Sequence, residues 1–325
     1  MMETEGDAGK AESFDEMLST AIAGIKLRNP TILASGILGT VGSSMRRAAE
    51  NGAGAVVTKS VGKLPRLGHK NPSVIKIEQG YLNAIGLANP GIGEFKSEIE
   101  TAKQGNVPVI GSIYGFSITE FVEVAKSMAD YGVDALELNL SCPNVGKAGA
   151  FYGQSEELAF EVVSEIKKNV GVPVIPKLTI HTGSIISVAK ACEKAGCDAI
   201  TAINTVKAVA IDTKVKMPVL GNKIGGLSGP CIKPIALAAV YEIAQEVKVP
   251  VIGCGGITTG EDAVEFLMAG ASAVEIGVAI ADRGLGVFRK VGEEIAAFLK
   301  ANGCKNVKEI IGIAKSGGRP RGVEW

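Results

Sequence analysis

Six consecutive residues, Asn139-Leu140-Ser141-Cys142-Pro143-Asn144, set a thiol between two carboxamides at the end of an alternating apolar run, Ala135 to Leu138. Amides both donate and accept, so Asn139 and Asn144 can read the edge of a polar heterocycle. A free thiol has a pKa of about 8.5, close enough to neutrality for Cys142 to handle a proton. The competing interpretation is a proline-stabilised turn around a small buried Cys, because a free Cys is usually inert packing. Lys59 and Lys177 each close an apolar run, Val56-Val57 and Val174-Ile175. Such a lysine is a snorkelling surface residue, a Schiff-base amine or a cation for developing negative charge. Gly255-Gly256 and Gly277-Val278 follow two further apolar runs, where backbone N–H groups can close on a phosphate.

The elements that must position these residues emerge from an internal repeat. Pro followed by an apolar run occurs at Pro30-Thr31-Ile32-Leu33, Pro108-Val109-Ile110, Pro173-Val174-Ile175 and Pro250-Val251-Ile252. Gly, two residues and Ala open the runs at Gly52, Gly132, Gly196 and Gly270. The two patterns alternate, giving eight short strands that each start at a helix breaker. Between them, Ser117 with Glu120 reads as a capping box, and Ser155 and Thr259 read as N-caps. Eight strands alternating with helices predict an α/β fold, a closed parallel (β/α)₈ TIM barrel. A doubly wound open sheet is the lesser alternative, since no G-x-G-x-x-G follows the first strand. In a barrel, all the residues above stand at one mouth, the C-terminal strand ends. Two insertions, 61–97 and about 206–233, exceed an ordinary βα loop on that side. His69 lies in the first and His181 beyond the fifth strand; both read as structural or solvent-facing.

Composition sets the outer bounds. The 325 residues are 46% hydrophobic with mean hydropathy +0.25, enough for a large core. Lys+Arg and Asp+Glu balance at 34 each, which argues against nucleic acid or an anionic membrane as partner. The six cysteines show no disulfide or C-x-x-C spacing and read as reduced cytoplasmic thiols, with no metal site. No run of about 18 apolar residues is present to span a membrane. Residues 1–20 read as a flexible acidic tail, 21–312 as a single barrel domain, and 313–325 as a second flexible tail.

Taken together, Ala34-Ser35-Gly36, Thr58-Lys59-Ser60, the Leu82 to Pro90 loop, Asn139 to Asn144, Lys177-Leu178, Ile203-Asn204-Thr205, Gly225 to Pro230 and Gly253 to Ile257 closely resemble class 1 dihydroorotate dehydrogenases. These are flavin barrels of pyrimidine biosynthesis, and the resemblance runs in family order from about residue 22 to 300. Gly225 to Pro230, followed by Ile232 to Leu237, is most similar to the NAD-linked branch. The resemblance implies FMN, with phosphate at Gly255, Gly256, Gly277 and Val278 beside Ser228 and Gly229. Ala34, Ser35, Gly36, Lys59, Ser60, Asn139 and Ile203 would line the flavin, and Lys177 would face its N1 edge. Dihydroorotate or orotate would place its carboxylate at Lys59, Asn83, Ile85, Gly86 and Leu87. Its amide edges would meet Asn139, Asn144, Asn204 and Thr205, with Cys142 as the base. A homodimer, or a heterotetramer with an FAD/[2Fe–2S] electron-transfer subunit, is the implied assembly. Thr179-Ile180-His181, Val145 to Gly149 and Val278 depart from the family pattern. A dihydropyrimidine dehydrogenase-type barrel and a Schiff-base aldolase barrel are the alternative functions.

Overall fold

The computed structural model describes residues 14–141 and 152–316. Eight parallel strands close into a barrel in strict chain order: β1 (Thr31–Leu33), β2 (Ala55–Val57), β3 (Val109–Ile113), β4 (Ala135–Asn139), β5 (Val174–Leu178), β6 (Ile200–Ala202), β7 (Val251–Cys254) and β8 (Ala271–Ile276). Each expected strand is present, and β8 returns to pair with β1 through Glu275 opposite Ile32. The helices behind them are α1 (Gly42–Glu50), α2 (Lys96–Lys103), α3 (Ile118–Asp130), α4 (Glu156–Asn169), α5 (Ile185–Lys194), α6 (Lys233–Glu246), α7 (Gly260–Ala269) and α8 (Val287–Ala301).

The strand starts explain themselves chemically. In the Gly-x-Asp-Ala repeats, the Asp134 carboxylate accepts the Val109 N–H at 2.8 Å, and that of Asp198 accepts the Val174 N–H at 2.7 Å. Each therefore takes up the leading donor of the neighbouring strand. Ser155 and Thr259 cap α4 and α7 as expected, and Thr259 forms a full capping box with Asp262. At α3 only half the expected box closes. Ser117 accepts from the Glu120 N–H, but the Glu120 carboxylate turns to the Phe116 N–H.

Alternation divides the strand residues between two cores. Leu33, Val56, Leu136, Leu138 and Val274 pack outward against the helices. Ile32, Ala55, Val57, Ile110, Ala135, Ile175, Ile252 and Ala273 fill the floor of the barrel. A hairpin of Thr20–Ile22 and Ile25–Leu27 adds Ile22 and Leu27 to that floor. It follows a short helix, Phe14–Leu18, whose Leu18 is buried. Leu18 and Ile22 dock because both side chains are apolar and fully buried. At the other end, Ile313–Ser316 forms a 3₁₀ turn.

The two long insertions are not separate loops. Residues Val74–Ile77 and Gly80–Asn83 from the first pair with Gly225–Ser228 and Val206–Ala208 from the second, in one four-stranded antiparallel sheet. Leu82, Ala84 and Leu220 form its small buried core.

Candidate active site

Inward positions one layer above the apolar floor are polar. They are Ser112 on β3, Glu137 on β4, Lys177 on β5, Thr201 on β6, Cys254 on β7 and Glu275 on β8. Ser112, Glu137, Lys177, Thr201 and Glu275 are all buried, so each needs a partner. Lys177 Nζ contacts Glu275 Oε2 directly and lies 3.5 Å from Glu137 Oε2. Ser112 Oγ donates to Glu137 Oε1 at 3.2 Å, and Thr201 Oγ1 lies 3.5 Å from Glu275 Oε1. Burial opposes the charged form of Lys177, but nearby Cys254, Glu137 and Glu275 hold its pKa well above the ordinary value. Burial first, then the charge of Glu275, pushes Glu137 up to about 8 against the pull of Lys177. Burial likewise pushes the Cys254 thiol up to about 12.

From this layer a hydrogen-bond chain climbs to the mouth. Ser112 shares a 2.9 Å bond with Ser60, and Ser60 lies 3.3 Å from Ser35. The Asn139 amide donates to Ser60 at 3.2 Å. Asn204 donates to the Asn139 carbonyl at 3.3 Å and to Ser141 Oγ at 3.1 Å. The Lys59 N–H donates to the Gly39 carbonyl at 2.9 Å, which holds the turn after β1 against the end of β2. Ser35, Ser60, Asn139, Lys177 and Asn204, expected together from strand-end positions alone, are therefore one connected set.

The insertion sheet delivers the other side of the mouth. Asn83 Nδ2 donates to the Gly226 carbonyl at 3.2 Å. A Cβ on Gly226 would lie 2.1 Å from Thr205 Oγ1, so Asn83, Gly226 and Thr205 are stacked in contact. The loop carrying Ile85, Gly86 and Leu87 is pinned by Asn89, which the sequence reading did not single out. Its amide donates to the Leu87 carbonyl and to Tyr114 Oη, and accepts the N–H of Gly91 and Gly62. An Asn before Pro in a glycine-rich loop was the available signal. His181 Nε2 accepts the Lys207 N–H at 2.7 Å and ties the β5 loop to the second insertion. Burial and Lys207 lower its pKa, in keeping with a neutral acceptor.

At β7 and β8, Gly255 and Gly256 take φ +135° and +76°, which only glycine adopts readily. Their N–H groups have no acceptor among the described residues. A Cβ on Gly256 would lie 2.9 Å from the Gly229 carbonyl, so the Ser228-Gly229 turn closes over this loop. Gly277 stands beside Ala34, joining the ends of β8 and β1. Ile203 is buried beyond β6. Cys142 and Asn144 lie outside the described residues. Glu137 and Glu275, buried partners of Lys177, were missed; their inward parity with Asn139 and Gly277 was the signal.

Residues 17–299 match the family model described as dihydroorotate dehydrogenase. The chain belongs to the dihydroorotate dehydrogenase family. Dihydroorotate dehydrogenase B (NAD(+)) catalytic subunits are similar along nearly their whole length. That of Methanocaldococcus jannaschii is 49% identical over 302 residues, covering 92% of this chain and 98% of the relative. That of Pyrococcus abyssi is 50% identical over 298 residues, covering 92% and 99%. That of Methanosarcina mazei is 48% identical over 309 residues, covering 94% and 97%. The family assignment agrees with the motif resemblance, and the closed barrel with the eight-strand repeat. No helix among the described residues is long and apolar enough to cross a membrane.

Proposed function

We propose that this chain is a flavin-dependent dihydroorotate dehydrogenase that oxidises (S)-dihydroorotate to orotate in pyrimidine biosynthesis, using FMN. The observation that carries the reading is the convergence of Ser35, Ser60, Asn139, Lys177 and Asn204 on one barrel mouth, in a chain of this family. The residues fit FMN. Open N–H groups at Gly255 and Gly256, under the Ser228-Gly229 turn, suit a phosphate, with Gly277 and Val278 opposite. Ala34, Ser35, Gly36, Lys59, Ser60, Asn139 and Ile203 would line the ring and ribityl chain, and the Lys177 ammonium would sit at the N1 edge. When bound, FMN supplies the acceptor for hydride and the route for electrons onward.

The chain's own residues then bind, orient and move one proton. Lys59, Asn83 and the backbone of Ile85, Gly86 and Leu87 hold the substrate carboxylate. Asn139, Asn144, Asn204 and Thr205 read its amide edges, and the Asn204–Asn139 bond sets both amides before substrate arrives. Cys142 would be the base that takes the C5 proton of the substrate. A Schiff-base role for Lys177 is disfavoured, because such a lysine must lose its proton whereas Lys177 is held charged between two glutamates. The relatives' names support a catalytic subunit that works beside a partner, and the family resemblance adds to this reading that the partner carries FAD and a [2Fe–2S] cluster and that both act in the cytoplasm. An anaerobic absorbance spectrum tests the reading. A flavin band that bleaches on addition of dihydroorotate, with dye reduction but no NAD reduction by the isolated chain, is expected. A colourless chain, or a flavin inert to dihydroorotate, overturns it.

A further inference from the structure

The layer beneath the mouth holds more charge than the reaction above uses. Glu137 and Glu275 are 1% and 2% exposed, and both face the single ammonium of Lys177. If all three were ionised, the layer would carry one uncompensated negative charge over a floor of Ile32, Val57, Ile110, Ile175 and Ile252. A lone buried charge is costly, and such groups neutralise by taking up a proton. Lys177 is the one fully buried lysine or arginine among the described residues. β3 presents the Ser112 hydroxyl, β6 the Thr201 hydroxyl, and β7 the Cys254 thiol, kept neutral by burial. β1 and β2 give Ile32 and Val57 to the floor, and the next inward residue of β2, Lys59, is only half-buried, so solvent screens its charge.

We propose that Glu137 and Glu275 are positioning residues that share one proton around the Lys177 ammonium, keeping this layer neutral, and that loss of that proton lowers the potential of the flavin seated above. This rests on the flavin seat proposed above. Glu275 makes the direct contact with Lys177 and takes the charge, and Glu137, further away, takes the proton. The arrangement has a distinctive arithmetic. Replacing either glutamate by Gln leaves one carboxylate facing one ammonium, so the layer stays neutral but has no proton to titrate. Replacing both leaves an uncompensated cation.

Infrared spectra of the full chain as purified, with and without isotope-labelled glutamate, test the shared proton whether or not flavin is bound. A protonated-glutamate band is expected at about pH 7, vanishing as pH passes about 8, and absent at about pH 7 from both E137Q and E275Q. Potentiometry of the FMN-loaded chain tests the tuning. Wild type should show a break in potential against pH in the same range, each single variant should lack it, and E137Q/E275Q should have a more positive potential than either. A wild type with no protonated glutamate at about pH 7, or an E275Q chain that keeps the band, overturns the proposal; the wild-type titration needs no variant to fold. A band that behaves as expected in a chain that binds no FMN refutes the seat, and with it the tuning, but leaves the shared proton standing.

Discussion

Replacing Lys177 by Met keeps an unbranched side chain, one atom shorter, and removes its charge and donors. Glu137 and Glu275 then face each other without the one fully buried cation among the described residues. Removing one partner of a buried ion pair costs roughly 3–5 kcal/mol, because the other charge stays buried and uncompensated. For a domain of this size, at roughly 2 °C per kcal/mol, melting should fall by roughly 6–10 °C near neutral pH. The pH dependence separates this cause from simple loss of packing. Glu137 has a folded pKa of about 8 against an ordinary 4.5. Its proton therefore stabilises the fold fully below about 4.5, and this stability is lost as pH rises towards about 8. Lys177, raised above its ordinary 10.5, contributes fully throughout that range. With the lysine gone, its pull towards the charged form of Glu137 is lost, so the variant should lose more stability than wild type as pH rises. The gap in melting temperature should thus widen from acid to neutral pH. Adding Glu275→Gln to Lys177→Met should recover most of the loss. Thermal melts by circular dichroism across that range are the assay. A Lys177→Met chain melting within about 2 °C of wild type, or a gap that narrows with rising pH, would refute the reasoning.

Cys142→Ser should slow reduction of the bound flavin by dihydroorotate ~10²–10⁴-fold, with FMN content unchanged, as followed by stopped-flow absorbance. A Cys142→Ala chain within a few-fold of wild type would assign the base elsewhere. Gly256→Ala should cut FMN affinity by about tenfold or more, measured by fluorescence titration, because its φ is +76° and a Cβ would meet Lys233 at 2.7 Å. His181 has a lowered pKa, so its contribution is present above its ordinary 6.5 and lost as pH falls through the lower folded value. Hydrogen exchange at the Lys207 amide should therefore accelerate on acidification, and His181→Gln, whose amide oxygen can still accept, should abolish that dependence.

The barrel was legible because its signals are local. Pro30, Pro108, Pro173 and Pro250 each stop the preceding segment, alternate apolar residues start the next, and Ser155 or Thr259 can cap a helix with no knowledge of distant chain. Strand-end position then gathered Ser35, Ser60, Asn139, Lys177 and Asn204, since a parallel barrel brings all its C-terminal ends to one face. Closure through space decided the rest. Glu137 sits between Leu136 and Leu138 in an apolar run, and nothing within ten residues marks it as a partner of Lys177. Lys177 and Glu275 are 98 residues apart, on β5 and β8, and only the radius of the closed sheet brings them into contact. Tyr81 and Ser228, 147 residues apart, belong to insertions that each read only as overlong βα loops, yet they pair as neighbouring strands. A residue's type and parity are written in the chain. Its charge state and its partners depend on distances across the barrel, and those exist only once the eight strands have closed.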